Sequence, residues 1–562
     1  MQPTGAEKAG PMALIEAISW CSFVVGIVVA VVYSFFLHDY SFLLFIAVIV
    51  GMGVVIWGVG ERCPRTRFVL AIFFAAFGLR LLSTILFHNS GRVMGDPFAG
   101  SPDAWNYDRW ANQTVDFLLH GEFPSLSSFY LTGTWDVGFY YILAGTYLIF
   151  GESPLVGRVL VVLFGALAAL VFYFLARELI GERAGMWAGV VYAFWPVSIA
   201  WTGYSIVRDS LVWFLMILSI LLILRVIDGA RPAARLAAVA LIATLVVLRF
   251  VRAYSEFIVV FGVGIAALWW LLHFDKRFVR AALMLCAVVI SVEGIVAAVG
   301  GANAPHMARH YGATVMRYMM KSLPSPSPPP NMAVVPSPVP RAKISSTPRA
   351  AQPMIVAGAR PAVQPENQTT TIVPAKPVSP SEVHLTGPGL LTNGIRFLFG
   401  PFAWTADIAN AGNWQLPAMW FWYAILPAAV GGLFLGLRER PALRVVSFAS
   451  LLFAVALVIT GRGDSFRHRE MIMPICILGL VLSIGFARRH WRPFLLLYVV
   501  YLVGLTGLIV YHRHTLKQRG MIATISSDLY QSRKRRKVFT VTAFAHPGAR
   551  NGWHAQDRPP HH

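Results

Sequence analysis

Long apolar runs dominate the pattern along this chain, and short polar segments separate them. An α-helix needs about 20 apolar residues to cross the ~30 Å hydrocarbon core of a bilayer, and the runs reach this length. There are about thirteen, near residues 17–37, 42–60, 67–87, 157–176, 184–203, 210–226, 235–251, 254–272, 279–300, 416–437, 442–460, 471–487 and 493–511. The pattern therefore predicts an all-α integral membrane protein with about thirteen transmembrane helices.

Arginine and lysine gather between alternate apolar runs. The basic segments are 62–67, 177–183, 225–235, 273–280, 438–444 and 488–492. Because cytoplasmic loops carry an excess of these residues, the alternation places the N-terminus inside and segments 88–156, 301–415 and 461–470 outside. An odd number of spans also places the C-terminus outside, whereas the basic tail, with RKRRK at 533–537, favours the inside. The sequence leaves both placements of the tail open.

Two outer segments depart from the simple pattern of spans and loops. The apolar run 137–150 is short, and we expect it to form a helix that lies in the outer interface of the bilayer. Residues 322–381 are rich in Pro, Ser, Ala and Thr, so we expect a disordered or polyproline-like insert whose deletion leaves folding intact. The predicted division is an N-terminal helical hairpin 1–66, a catalytic membrane core 67–300, an outer loop 301–390, C-terminal helices 391–511 and a basic tail 512–562.

Composition and charge narrow the classes of function. Residues are 57% hydrophobic and only 13% charged, with a mean hydropathy of +0.62, which excludes an ordinary soluble domain. We assign the net charge of +21 to membrane topology and not to a nucleic-acid partner. The four cysteines, Cys21, Cys63, Cys286 and Cys476, show no metal-ligand spacing, so neither a disulfide framework nor a zinc site is expected.

Three polar clusters fall at the predicted outer ends of the spans. The first, within residues 95–123, contains Asp96, Asp103 and Asp108 among aromatic residues, and the second is Asp209 beside Arg208. Ionisable residues at a membrane edge are costly and usually functional or paired. An interfacial aromatic belt would also explain the first cluster, and an ion pair with Arg208 would explain Asp209.

The third cluster is basic and follows a span, in the sequence GRGDSFRHREMIMP at 461–474. Guanidinium groups bind phosphate oxygens in a bidentate manner, so this cluster is a candidate site for a donor phosphate. A solvated basic cap is the alternative, which the outer position disfavours. The candidate phosphate ligands are Arg208, Arg462, Arg467, His468 and Arg469.

A series of short motifs, taken in order, resembles the motifs of a known family. Asp103, Tyr107 and Ala111 follow one another at four-residue intervals, and a His-Gly pair stands at 120–121. Then come LIFGESPLVGRVL, FLARELIGERAG and AFWPVSIAWTGYSIVRDSL. In this order they resemble the polytopic GT-C glycosyltransferases, in particular bacterial relatives of the protein mannosyltransferases and of the lipid A aminoarabinose transferase. The resemblance covers residues 67–275 and, less clearly, 390–475.

The resemblance implies which residues form the site. Asp103 corresponds to the catalytic aspartate of the first outer loop, and Asp209 to the acidic residue of the second. Tyr107, Asp108 and Asp96 would line the substrate pocket. Asp103 and Asp209 are the candidate metal ligands, and a divalent cation, Mg²⁺ or Mn²⁺, would bridge Asp209 and the donor phosphate. The chain departs from the family pattern at Ala104, where the family has an acidic residue, and it lacks the Pro before the interfacial helix.

The predicted function is transfer of a sugar from a polyprenyl-phosphate donor to a glycan, lipid or protein acceptor, with inversion. The expected location is the extracytoplasmic face of a membrane such as the bacterial inner membrane. A polysaccharide polymerase or ligase is the main alternative, followed by a flippase of lipid-linked sugars and a transporter. A ligase is expected to carry His and Arg in its large outer loop, and a transporter to show inverted repeats.

Overall fold

The computed structural model describes residues 11–60, 64–93, 101–122, 137–228, 231–272, 276–300, 415–439, 472–489 and 498–507, with the single positions 98, 447, 492, 495 and 496. Over these residues all regular structure is helical. The long helices are α1 (Pro11–Leu37), α2 (Tyr40–Gly60), α3 (Pro64–Val93), α4 (Pro102–Leu119), α5 (Val137–Phe150), α6 (Pro154–Ile180), α7 (Glu182–Ala193), α8 (Pro196–Tyr204), α9 (Asp209–Asp228), α10 (Arg231–Leu272), α11 (Lys276–Gly300), α12 (Gln415–Glu439) and α13 (Met473–Arg489).

Within these ranges, six helices are long and apolar enough to cross a membrane: α1, α2, α3, α6, α9 and the first half of α10. The bent pair of α7 and α8 would make a seventh span. An all-helical membrane protein is thereby confirmed. The count of about thirteen spans extends over segments outside the described residues, among them nearly all of 442–460, and it stays a prediction.

The structure contains two helices within the apolar run 184–203, which was predicted as one span. The structure divides it into α7 and α8, whose axes differ by 43°. Pro196 lacks a backbone N–H and cannot continue the hydrogen bonding of α7, but it suits the first position of α8. The bend directs α8 toward the segment that precedes Asp209.

The membrane core consists of α3, α6 and α9, with the other described helices packed around it. Helix α1 contacts α3 so closely that a Cβ added to Gly26 would lie 2.5 Å from the carbonyl oxygen of Gly78. Helix α2 reaches α5, where the rings of Phe45 and Phe150 stack at 4.3 Å. The N-terminal pair of helices is therefore packed directly on the elements that carry the site.

The C-terminal helices α12 and α13 pack tightly on each other. A Cβ added to Gly432 would lie 1.8 Å from the carbonyl oxygen of Gly479, so only glycine allows this approach. The pair reaches the core where Phe421 contacts Trp195 with ring centroids 5.1 Å apart. It therefore supports the bend between α7 and α8.

Ion pairs and hydrogen bonds define two ends of the bundle. At one end Arg65 pairs with Glu182 at 3.0 Å, and Arg225 pairs with Glu178 at 2.9 Å. At the other, Ser153 donates a hydrogen bond to Asp39 at 2.5 Å, just before α6 begins. Because α6 and α9 run side by side from this second end, Asp209 at the start of α9 lies there too. We call it the Asp209 end; that it faces away from the cytoplasm stays a prediction.

Several predicted segments lie outside the described residues. They are the Pro-rich insert 322–381, the basic cluster 461–470, the tail from residue 512 and the region around Asp96. The helix expected at 137–150 is present as α5. Its position in the plane of the membrane interface stays a prediction.

Candidate active site

The segment between α3 and α5 contributes helix α4, whose start is well defined. Ser101 is the N-cap, and its side chain accepts a hydrogen bond from the backbone N–H of Ala104. Pro102 occupies the first turn, and Asp103 follows it with an exposed side chain. A carboxylate in the first turn is favoured by the helix dipole. The local sequence thus presents Asp103 to solvent at the beginning of α4.

Tyr107, one turn after Asp103, contacts both α5 and the segment that precedes α9. Its ring is buried against Phe139 and Tyr140 of α5, with centroid distances of 5.1 and 5.4 Å. From the second loop, the guanidinium of Arg208 lies 5.8 Å from the centroid of the Tyr107 ring. This cation–π contact places α4, α5 and the start of α9 around one point.

The electrostatics at Tyr107 also reflect this convergence. Burial raises the pKa of its phenol above the usual value, and the positive charge of Arg208 opposes that shift. The charges of Asp209 and Asp103 raise this pKa further, and that of Arg252 lowers it. Two carboxylates and two guanidinium groups from three separate segments therefore act on the same hydroxyl.

Asp209 is buried at the first position of α9 and has partners on two neighbouring helices. The indole N–H of Trp201 in α8 donates to its Oδ2 at 3.2 Å. Its Oδ1 forms a buried ion pair with Arg252 of α10. Arg208 was the predicted structural partner of Asp209. The structure shows an ion pair between Asp209 and Arg252, and it places the Arg208 guanidinium over the Tyr107 ring.

Sequence reasoning missed Arg252, although a signal was present. Arg249, Arg252 and Glu256 are ionisable residues at the junction of two apolar runs, 235–251 and 254–272. Such residues are costly in a membrane and usually functional. The same argument that singled out Asp209 therefore applied to them.

Asp108 lies on a different side of α4 from Asp103 and is half-buried. Its carboxylate accepts hydrogen bonds from the Tyr147 hydroxyl at 2.6 Å and from the Asn112 amide at 3.4 Å. Burial raises the pKa of Asp108, and the Tyr147 hydrogen bond opposes this shift. Asp108 therefore ties α4 to α5 and is less accessible to a substrate than Asp103.

The structure brings together four of the predicted site residues: Asp103, Tyr107, Arg208 and Asp209. Asp108, also predicted for the pocket, lies on a different side of α4 and accepts a hydrogen bond from Tyr147. The remaining predicted residues lie outside the described part of the chain: Asp96, Arg462, Arg467, His468 and Arg469. The His-Gly pair at 120–121 ends α4, where the His120 ring contacts the Asp116 carbonyl oxygen at 2.6 Å and Gly121 has a φ of 74°. This pair is a helix terminus at the far end of α4 from Asp103.

The residues around Asp209 fit a divalent ion poorly. Among the described residues there is no group of three or more His, Cys, Asp or Glu side chains placed to share a metal. Both carboxylate oxygens of Asp209 already accept hydrogen bonds, from Arg252 and Trp201. A cation between Asp103 and Asp209 would therefore compete with the Arg252 guanidinium, and the predicted metal stays a prediction.

An apolar cavity of about 280 Å³ lies beside the site, between α5 and α10. Its walls are formed by residues of 137–142 and 246–250, and nearly all of its surface is apolar. Phe139 and Tyr140, in the same stretch of α5, contact Tyr107, while Arg252 follows Phe250 by two residues on α10. The polar site and the apolar cavity are therefore adjacent.

Comparisons with known proteins bear on these helices directly. Residues 137–295, from α5 through most of α11, match the family model described as dolichyl-phosphate-mannose-protein mannosyltransferase. A comparison with curated protein sequences gives no match. The matched segment contains Arg208, Asp209 and Arg252, as well as both walls of the cavity. Together with the apolar helices, this match over residues 137–295 supports a membrane glycosyltransferase of the GT-C type.

Proposed function

We propose that this protein transfers a sugar from a polyprenyl-phosphate donor to a glycan, lipid or protein acceptor at the extracytoplasmic face of its membrane. The observation that carries the proposal is the convergence of Asp103, Tyr107, Arg208 and Asp209 at one end of the bundle. The family match gives the class of reaction and makes mannose the first sugar to test.

Asp103 is the general base in this proposal. It is exposed at the start of α4 and lies one turn from Tyr107, the meeting point of the two loops. The acceptor hydroxyl gives its proton to the Asp103 carboxylate while its oxygen forms a bond to the anomeric carbon of the sugar. The bond from that carbon to the phosphate oxygen breaks, and polyprenyl phosphate leaves with the electron pair. Attack from the opposite side inverts the anomeric centre.

The phosphate leaving group needs charge stabilisation more than it needs an acid. A phosphate is already a stable anion near neutral pH, unlike the leaving group of a glycosidase, which requires a second carboxyl group as acid. Arg208 supplies a guanidinium at the site, and the basic cluster 461–470 is proposed to add more. Asp209 acts on this side by holding Arg252 at the site.

The apolar cavity supports a lipid-linked donor. A polyprenyl chain is a hydrocarbon, and it can lie against the apolar walls formed by α5 and α10 while its phosphate stays near Arg208. The bilayer then delivers the donor laterally to the site. Nucleotide sugars are cytoplasmic, so a site on the opposite face requires a lipid-linked donor.

The test uses the full-length protein purified and reconstituted in liposomes. Radiolabelled dolichyl-phosphate mannose is supplied, and transfer of label from lipid to acceptors in a membrane extract of the source cells is followed. Mass spectrometry of lipids that copurify with the protein identifies the native carrier. Transfer that depends on Asp103 supports the proposal; a copurified lipid without phosphate, together with no transfer, contradicts it.

A further inference from the structure

Residues 231–272, named α10, are two helices that meet at Arg252, at the junction of the predicted spans 235–251 and 254–272. Arg252 alone among the residues described there has an extended backbone, with φ −162° and ψ 85°. Sharp interruptions of helices are usually found at Pro, at Gly/Ser pairs or where a group inserts into the hydrogen bonding. The surrounding sequence, VVLRFVRAYSEF, has neither Pro nor Gly. The two helices therefore meet where charged residues, and not Pro or Gly, stand between the two apolar runs.

The break determines where the Arg252 side chain lies. Its guanidinium pairs with Asp209, 43 residues earlier in the chain, and both side chains are buried. The pair joins α10 to the first residue of α9, next to Arg208. Any change in the backbone at Arg252 would move this guanidinium relative to Asp209.

A second buried ion pair spans the break. Arg249, three residues before Arg252, contacts Glu256, four residues after it, at 3.0 Å, with side chains only 7% and 2% exposed. In a continuous helix, residues seven apart are separated by about 10.5 Å along the axis, which exceeds the one-turn spacing at which side-chain pairs normally meet. Burying two charges is costly. This buried pair, with Glu293 of α11 at 3.9 Å from Arg249, connects the residues on either side of Arg252.

We propose that the Arg249–Glu256 ion pair holds α10 in its broken form and thereby positions Arg252 against Asp209 for sugar transfer. Arg249 and Glu256 are thus positioning residues, because they act through Arg252 and Asp209 and not by contact with the substrate. The inference rests on the proposed function for its activity readout. The clamp itself, defined as this ion pair, rests on the geometry of α10.

Two variants test the clamp. Glu256→Gln keeps the shape of the side chain but removes its charge, and the double variant Arg249→Glu with Glu256→Arg restores an ion pair of reversed polarity. For Glu256→Gln we expect kcat for mannose transfer to fall ~10- to 100-fold, as for a misplacement of about 1 Å at a reacting centre, while KM changes less than about two-fold. The double variant is expected to recover most of the lost kcat. Glu178→Gln, in the exposed pair with Arg225 at the other end of the bundle, is the control and leaves both constants unchanged.

Hydrogen exchange measured by mass spectrometry separates the clamp from the proposed function. Glu256→Gln is expected to speed amide exchange in peptides covering 245–258 and to leave exchange in α6 unchanged, whichever sugar the enzyme uses. If the wild-type protein transfers no sugar, the proposed function fails, and the exchange result still decides the clamp. Unchanged exchange at 245–258, or a folded double variant with kcat as low as that of Glu256→Gln, overturns the inference. If Glu256→Gln does not fold, the double variant compared with wild type decides it alone.

Discussion

Three carboxylates at the Asp209 end differ in what their surroundings allow them to do. Asp103 is exposed at a helix start, Asp108 is half-buried and accepts two hydrogen bonds, and Asp209 is buried in an ion pair. A base that takes a proton from an incoming hydroxyl must be accessible to that hydroxyl. On this criterion Asp103 is the best candidate of the three, and Asp209 is suited to hold Arg252.

Replacement of the proposed base is the first prediction. Asp103→Asn keeps the shape of the side chain but cannot accept the proton, so kcat is expected to fall ~10²- to 10⁴-fold while donor binding is retained. The measurement is label transfer by protein in liposomes, with donor binding followed separately. Asp116→Asn, an exposed carboxylate near the other end of α4, is the matched control and stays active. If Asp108→Asn is inactive while Asp103→Asn transfers normally, the base is Asp108.

The second prediction concerns the Asp108–Tyr147 hydrogen bond. Tyr147→Phe removes the hydroxyl that donates to the half-buried carboxylate at 2.6 Å, which should lower the free energy of unfolding by ~1–3 kcal/mol near neutral pH. Burial raises the pKa of Asp108 in the folded state, so the folded state binds more protons than the unfolded state. The free energy of unfolding therefore falls as the pH rises from the Asp108 pKa of the unfolded state to that of the folded state.

Because the Tyr147 hydrogen bond opposes that shift, its loss raises the folded pKa further and extends the window upward. The cost of Tyr147→Phe, measured by thermal unfolding in detergent, should therefore be larger at about pH 7 than at about pH 4. The same change made in Asp108→Asn should cost less, since no carboxylate is left to stabilise. Equal costs in both backgrounds would show that the hydrogen bond does not couple these residues.

Between helices, contact depends on small residues in some places and on buried charge in others. Glycines let α1 approach α3 and α12 approach α13, whereas α9 and α10 are joined by Asp209 and Arg252. Backbone approach without side chains is a common way to pack helices in lipid, where apolar side chains gain little by leaving the hydrocarbon. A methyl group at such a position must force the helices apart.

The third prediction uses two adjacent glycines of α12. Gly432→Ala places a Cβ 1.8 Å from the Gly479 carbonyl oxygen, which is sterically impossible without movement of α13. We expect this overpacking to lower the free energy of unfolding by ~1–3 kcal/mol and therefore to lower the unfolding temperature. At Gly431 a Cβ meets nothing within 4 Å, and Gly431→Ala is the matched control. Thermal unfolding in detergent measures both. Equal midpoints for the two variants would show that α12 and α13 do not pack through Gly432.

At the scale of the whole molecule, the helices carry two different sets of charges at their two ends. The Asp209 end has the convergent site, and the opposite end has the exposed pairs Arg65–Glu182 and Arg225–Glu178. The excess of basic residues beside the second set predicts that it faces the cytoplasm. On that prediction the site lies on the other face, where a lipid-linked donor is expected.

The fourth prediction tests this orientation. After replacement of Cys21, Cys63, Cys286 and Cys476, single cysteines are introduced at two exposed positions, Asn106→Cys in α4 and Arg183→Cys in α7. A membrane-impermeant thiol reagent applied to intact cells should label position 106, and position 183 only after the cells are opened. Labelling of 183 in intact cells with protection of 106 would reverse the orientation and contradict an extracytoplasmic site.

The sequence alone predicted several features of this protein. The apolar runs predicted the helices of the described core, the interval of four residues put Asp103, Tyr107 and Ala111 on one face of α4, and the order of the motifs indicated a GT-C glycosyltransferase, which the family match confirmed. These features are local, because hydrophobic length, helix start signals and spacing along one helix depend on neighbouring residues.

Only the tertiary structure decided which charges meet. Asp209 pairs with Arg252 across 43 residues, and Asp108 accepts a hydrogen bond from Tyr147 across 39. Such choices depend on how whole helices pack, and each buried charge is stabilised by the partner that packing brings within reach. The site therefore rests on contacts between segments that no pattern within one segment records.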